Sequence, residues 1–267
     1  MAVQLNNSQL IGNDGKNQYY CVDGVYLARK LYKRPKGLVN TDDGFVNSRL
    51  AGIEFAACST LAAGLYKEAK LCLPYLHKWY AMAKFTAALR KVVNGCKADA
   101  GKRDLIMSKH KDLALGMELN SKRDFVDVFK MPFVTSFDGT TKELVTKVSN
   151  FIPADLKLKD TGATMLRLFC FVVIVEDGEL NAGTKRFVFK NDLKAITSRF
   201  CFSEYISLLQ DKNKTVSLKI DLNNVLQNGR KANAWVWLGA ELCRRNNNAI
   251  EVLYNSSVCK LVQVVDM

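Results

Sequence analysis

The spacing of apolar positions along this chain changes period partway through. Over residues 45–72, Phe45, Leu50, Ile53, Ala57, Leu61, Leu65 and Cys72 recur close to helical spacing, so they fall on one face of a single long helix. Thr41-Asp42-Asp43 supplies cap residues ahead of that run, and Pro74 stops it. Before it, Tyr19 to Val22 and Val25 to Leu27 read as short strands around the hairpin signal Asp23-Gly24. A second helical pattern covers 75–93, with Leu76, Trp79, Tyr80, Ala83, Ala87 and Leu89, and ends at the cap pair Asn94-Gly95. Residues 97–101 read as a loop and 102–119 as a shorter helix.

From Asp124 the period falls to two. Phe125 to Phe129 and Val134 to Phe137 are β-prone, Asp138-Gly139 punctuates, and strands are predicted over 163–175, 185–189, 215–222, 234–242 and 250–265. Val216, Leu218, Ile220 and Leu222 share one strand face. Turn residues separate the strands at 176–178, 191–192, 228–229 and 246–248. Residues 203–209 read as a helical turn between strands. In Trp235-Val236-Trp237, one tryptophan is expected in the core. Many strands without long helices between them point to an antiparallel sandwich rather than a parallel sheet. The predicted class is α+β: a basic N-terminal arm (1–44), a helical region (45–123) and a β-sandwich domain (124–267) with a connecting segment (124–150). Residues from about 150 onward are expected to fold alone.

Composition narrows the function classes. The apolar share of 48% and only 4 prolines exclude disorder as the chain's general state. The most apolar stretch, Leu166 to Val175, is about half the length of a membrane span. No membrane partner and no targeting segment are expected, and the expected location is a virion or a host cytoplasm. Eight cysteines spread over 267 residues, several of them inside apolar runs, read as free thiols in a reducing compartment.

Charge is the compositional outlier, with 39 basic against 26 acidic residues and a net of +13. Residues 1–130 carry 21 of the cations and 12 of the acids. Such a field favours a polyanionic or acidic partner. Its densest point is Tyr26-Leu27-Ala28-Arg29-Lys30-Leu31-Tyr32-Lys33-Arg34-Pro35-Lys36. There Arg29, Lys30, Lys33, Arg34 and Lys36 would neutralise phosphates or an acidic protein surface, with Tyr26 and Tyr32 placed to stack on bases. A solvated basic arm is the plainer reading of the same residues.

Phosphate loops, nucleophile elbows and H-E-x-x-H are missing, and no C-x-x-C offers zinc spacing. His77 and His110 are the two histidines, and the cations beside His110 disfavour a poised acid. No catalytic residue, metal or cofactor is therefore expected.

The helical run 49–74, followed by Ala234-Trp235-Val236-Trp237-Leu238-Gly239-Ala240 and Tyr254-Asn255-Ser256-Ser257-Val258, resembles a family of uncharacterised proteins from Bacteroidetes and their phages. The resemblance implies a virion component and no known activity. By fold-level analogy it also suggests an immunoglobulin- or fibronectin-like sandwich. The expected function is a non-enzymatic structural or assembly protein whose partners are other protein subunits. A basic nucleic-acid-binding protein of nucleocapsid or movement type is the alternative.

Overall fold

The computed structural model describes residues 3–6, 9–22, 25–31, 37–120, 122–156, 158, 161–189, 196–225, 232–247 and 249–267. The turn residues expected at 191–192, 228–229 and 248 lie outside these, as do Asp23-Gly24. The class is α+β, and among the described residues all strand pairs are antiparallel. By contacts the chain divides into two units, residues 1–49 and 50–267.

The first unit, the span read as a basic arm, is a β-meander whose last two strands contain the pair expected at 19–22 and 25–27. It contains β1 (Val3–Asn6), β2 (Gln9–Asn13), β3 (Asn17–Val22) and β4 (Val25–Lys30), paired in that order. The one-turn helix α1 (Leu38–Thr41) follows. The β2–β3 turn is built by Asp14, whose carboxylate accepts from the backbone N–H of Asn17 (2.6 Å) and Lys16 (2.8 Å) and from the Tyr19 hydroxyl (2.9 Å). These bonds, led by the one from Asn17, hold its pKa well below the usual carboxylate range. Gly15, at φ +87°, takes the left-handed position the turn requires.

The second unit has three layers. Helices α2 (Val46–Cys72, entering from the first unit) and α3 (Lys78–Gly95) form one layer. Two further helical turns, α4 (Met107–His110) and α5 (Phe125–Val128), precede the strands. β5 (Phe133–Asp138) and β6 (Glu143–Phe151) are followed by β7 (Met165–Val175), β8 (Gly178–Asn181), β9 (Arg186–Phe189), β10 (Ile196–Phe202) and β11 (Ile206–Ser207). β12 (Lys214–Asp221), β13 (Asn233–Asn246), β14 (Ala249–Val252) and β15 (Val258–Asp266) complete the chain. The middle layer centres on β7 and β13; β10 and β11 pair along the free edge of β7, and β15 and β14 along that of β13. The third layer is the sheet β12-β6-β5.

Because strand side chains alternate, the middle sheet faces two cores. Phe169, Phe171, Val173, Trp235 and Trp237 join a core with Cys58, Leu65, Phe85 and Leu89 of the helices. Leu168, Cys170, Val172, Val236 and Leu238 join a second core with Leu144, Val148, Leu218 and Ile220 of the outer sheet. The apolar run 166–175 therefore belongs to a strand covered on both faces, and the alternating 214–221 to one covered on a single face. Trp235 and Trp237 share parity, so both are fully buried, not one. Trp237 stacks on Phe171 at 5.4 Å and meets Phe85 edge-on at 5.8 Å.

This arrangement places the helices and the sheets in one unit, with no boundary at residues 120–150. The expected connecting segment contains β5, β6 and α5, and Phe125 to Phe129 is a helical turn rather than a strand. Residues 102–119 are mostly not helical. Gly116 takes φ +80°, and backbone groups bond outward, Gly116 N–H to Leu261 C=O (3.0 Å) and Leu119 N–H to Cys259 C=O (3.1 Å), so the segment covers the edge of β15. Within 203–209, expected as a helical turn, Ile206–Ser207 form β11 along β7, with Ile206 opposite Leu166.

Candidate interaction surfaces

The structure divides the basic stretch singled out in the sequence. Tyr32, Lys33, Arg34 and Lys36 lie outside the described residues. Arg29, Lys30 and Tyr26 lie on β4, where alternation sends Arg29 to one face and Lys30 with Tyr26 to the other. Register puts Gln18 opposite Arg29, and the Gln18 Oε1 accepts from both Nε (2.9 Å) and Nη2 (2.6 Å) of Arg29. The same guanidinium lies 5.7 Å over the Tyr20 ring. Arg29 is thus engaged within the sheet, on the face opposite to Tyr26 and Lys30.

The Arg29 face holds a feature the basic residues obscured in the sequence. Ile11, Tyr20, Val25 and Leu27 share it across three strands, and Ile11 (41%), Val25 (58%) and Leu27 (41%) are exposed. None of the side chains described in this unit is buried.

In the second unit a cavity of about 200 Å³ opens at the α2–α3 connection, lined among others by Tyr75, His77, Leu119, Tyr254 and Ser257. Tyr75 and Tyr254 stack at 4.7 Å across it. Burial, then the Glu241 charge, pushes the Tyr75 phenol well above its ordinary value, so it remains a neutral donor. His77 is taken up locally: its Nδ1 accepts the Tyr80 N–H (3.5 Å) as the cap of α3. Close by, Arg167 and Glu241 face each other across β7 and β13, with Nε (2.8 Å) and Nη2 (2.5 Å) donating to one carboxylate oxygen. Phe202 and Tyr205 flank the guanidinium at 4.2 and 4.9 Å. A charged residue inside each of two apolar strands was the sequence signal for this pair, and it went unread.

The helical layer carries its charges asymmetrically. Within residues 50–95 the cations are Lys67, Lys70, Lys78, Lys84, Arg90 and Lys91, and the acids are Glu54 and Glu68. Glu54 is buried, accepting the Gly101 N–H (2.7 Å), with Arg103 beside it at 3.5 Å. Glu68 accepts from the Ser198 hydroxyl (2.7 Å). Both carboxylates are therefore committed to the protein's own interior and sheet.

All eight cysteines are free. Among the described residues no helix is long and apolar enough to cross a membrane, and no group of three or more His, Cys, Asp and Glu is placed to hold a metal ion. Set against models of protein families, curated proteins and solved structures, the chain matches none.

Proposed function

We propose that this chain is a non-enzymatic structural protein of a larger assembly, acting through protein–protein contacts. A virus or phage virion is the setting implied by the resemblance to the Bacteroidetes and phage family. The observation that carries the reading is the N-terminal sheet. A small sheet is stable when an apolar face is covered, yet Ile11, Val25 and Leu27 stay exposed on one face here. A neighbouring subunit supplies the cover, and burial of that face drives association. On the same footing we keep the immunoglobulin- or fibronectin-like assignment of the two-sheet part as a proposal, supported by antiparallel sheets stacked over a common core.

Sedimentation of the full chain tests the assembly reading. Self-association above the 29.9 kDa monomer is expected, and the double change Val25→Lys with Leu27→Lys is expected to return the monomer without lowering the melting temperature of the 50–267 unit. A chain that stays monomeric overturns it. If that monomer also binds DNA or RNA at about 50 mM salt and loses affinity by orders of magnitude toward 200 mM, the nucleic-acid reading takes its place.

A further inference from the structure

Helix α3 carries two apolar stripes where an ordinary surface helix carries one. Ala81, Phe85, Ala88, Leu89, Val92 and Val93 are buried against the sheet and α2. A second series, Trp79, Met82, Ala83, Ala87 and Arg90, recurs at helical spacing and lines an open groove of about 580 Å³. Phe55 of α2 forms part of the opposite wall. Trp79 is 74% and Phe55 53% exposed, so the largest side chains of the groove are in water. Lys78 lies 5.6 Å from the Trp79 ring.

Charge indicates what would cover it. The two acids of residues 50–95 are turned to internal partners, and among the described residues none of the six cations is paired with a carboxylate. The Arg90 Nε is buried without a hydrogen-bond partner among the described residues. Arg90 and Lys91 both line the groove, so their charges are placed to attract an incoming carboxylate.

We propose that the α2–α3 groove docks an amphipathic helix of a partner protein, with apolar side chains seated between Trp79, Met82 and Phe55 and flanking Asp or Glu side chains paired with Arg90, Lys91 and Lys84. From Trp79 to Asn94 the groove follows α3 for about four turns, roughly 22 Å, matching a partner helix read at i, i+3, i+4 and i+7. A nucleic-acid strand would leave the apolar floor uncovered, and a flat bilayer would not fill a concave cleft. The inference rests on the reading of the chain as a protein-binding subunit but uses a different surface.

The test is fluorescence anisotropy with the full chain and a labelled helical peptide of roughly 18 residues, bearing leucine along one face and glutamate along the other. Binding is expected, with at least tenfold loss for Ala83→Arg with Ala87→Arg, which fills the groove, and for Arg90→Glu with Lys91→Glu, which reverses its charge. A lysine-faced peptide should bind the charge-reversed variant better than the original. The Val25→Lys, Leu27→Lys chain should bind the acidic peptide as the original does, which separates this proposal from the assembly test. Equal affinity for a scrambled acidic peptide, no binding of the helical one, or variants that instead abolish binding of an oligonucleotide or of anionic phosphatidylserine vesicles would each overturn it.

Discussion

Cys58, Cys72, Cys170, Cys243 and Cys259 are buried, whereas Cys21 is exposed and Cys96 and Cys201 are half-buried. Burial disfavours the thiolate and pushes Cys58 and Cys170 up to about 12 and Cys243 up to about 11, from 9.0. In the folded protein at pH 8, a thiol reagent is therefore expected to label Cys21 first and leave the five buried thiols until urea unfolds the chain. Labelling of all eight at one rate without denaturant would contradict the buried placement. The same shifts set a pH dependence. A proton retained by the fold and released by the unfolded chain leaves stability unaffected below pH 9, and stability is lost as pH rises from 9 toward 12. Urea midpoints under reducing conditions should fall across that window, and Cys170→Ala should make the fall shallower.

At the level of elements, β13 shows how closely the middle sheet is fitted. A Cβ on Gly239 would lie 2.2 Å from Phe169 Cζ and 2.5 Å from the Val258 carbonyl oxygen. The first could rotate away, but the second is backbone of the paired strand β15. Gly239→Ala is expected to cost about 1–3 kcal/mol through overpacking, read from the urea midpoint at unchanged m-value. A neutral result would mean that β13 and β15 separate more easily than the packing implies. The long elements were legible in the sequence for local reasons: α2 from its stripe and Pro74, β12 from strict alternation. The segments at 102–119, 125–129 and 203–209 were not. In the first and last of these, backbone groups are satisfied by distant partners, Leu261 for Gly116 and Leu168 for Ser203. Local propensity carries no trace of such bonds.

Across the whole molecule, the consequence of two cores sharing one sheet is cooperative folding of residues 50–267. A fragment beginning at Ser149 would lack both long helices, β5 and most of β6. It would expose Phe171, Trp235 and Trp237 on one face and Leu168, Val172 and Val236 on the other. That fragment is expected to show β-type far-ultraviolet dichroism with no near-ultraviolet signal and no sharp thermal transition, the behaviour of a molten state. A fragment starting at Leu50 should melt cooperatively. Cooperative melting of the shorter fragment would show that the helical layer is dispensable to the fold.

The basic N-terminal stretch was visible as charge, but charge does not specify which face of a strand a residue takes. Pairing β3 to β4 decided that, placing Arg29 against Gln18 and Tyr20 and exposing Val25 and Leu27 beside it. Trp79, Ala83 and Ala87 of the exposed α3 stripe belong to the helical pattern read from the sequence, where they stood together with the buried Leu89. Only the packing of Phe85, Leu89 and Val92 against the sheet distinguished them from the core stripe. Periodicity by itself determined the helix pair and the β-rich second half, because side-chain direction follows from backbone geometry alone. What covers each of those faces depended on the tertiary structure, since the partners of Phe171 and Cys170 come from helices and strands tens of residues away, and hydrophobic burial is indifferent to the order in which the chain supplies them.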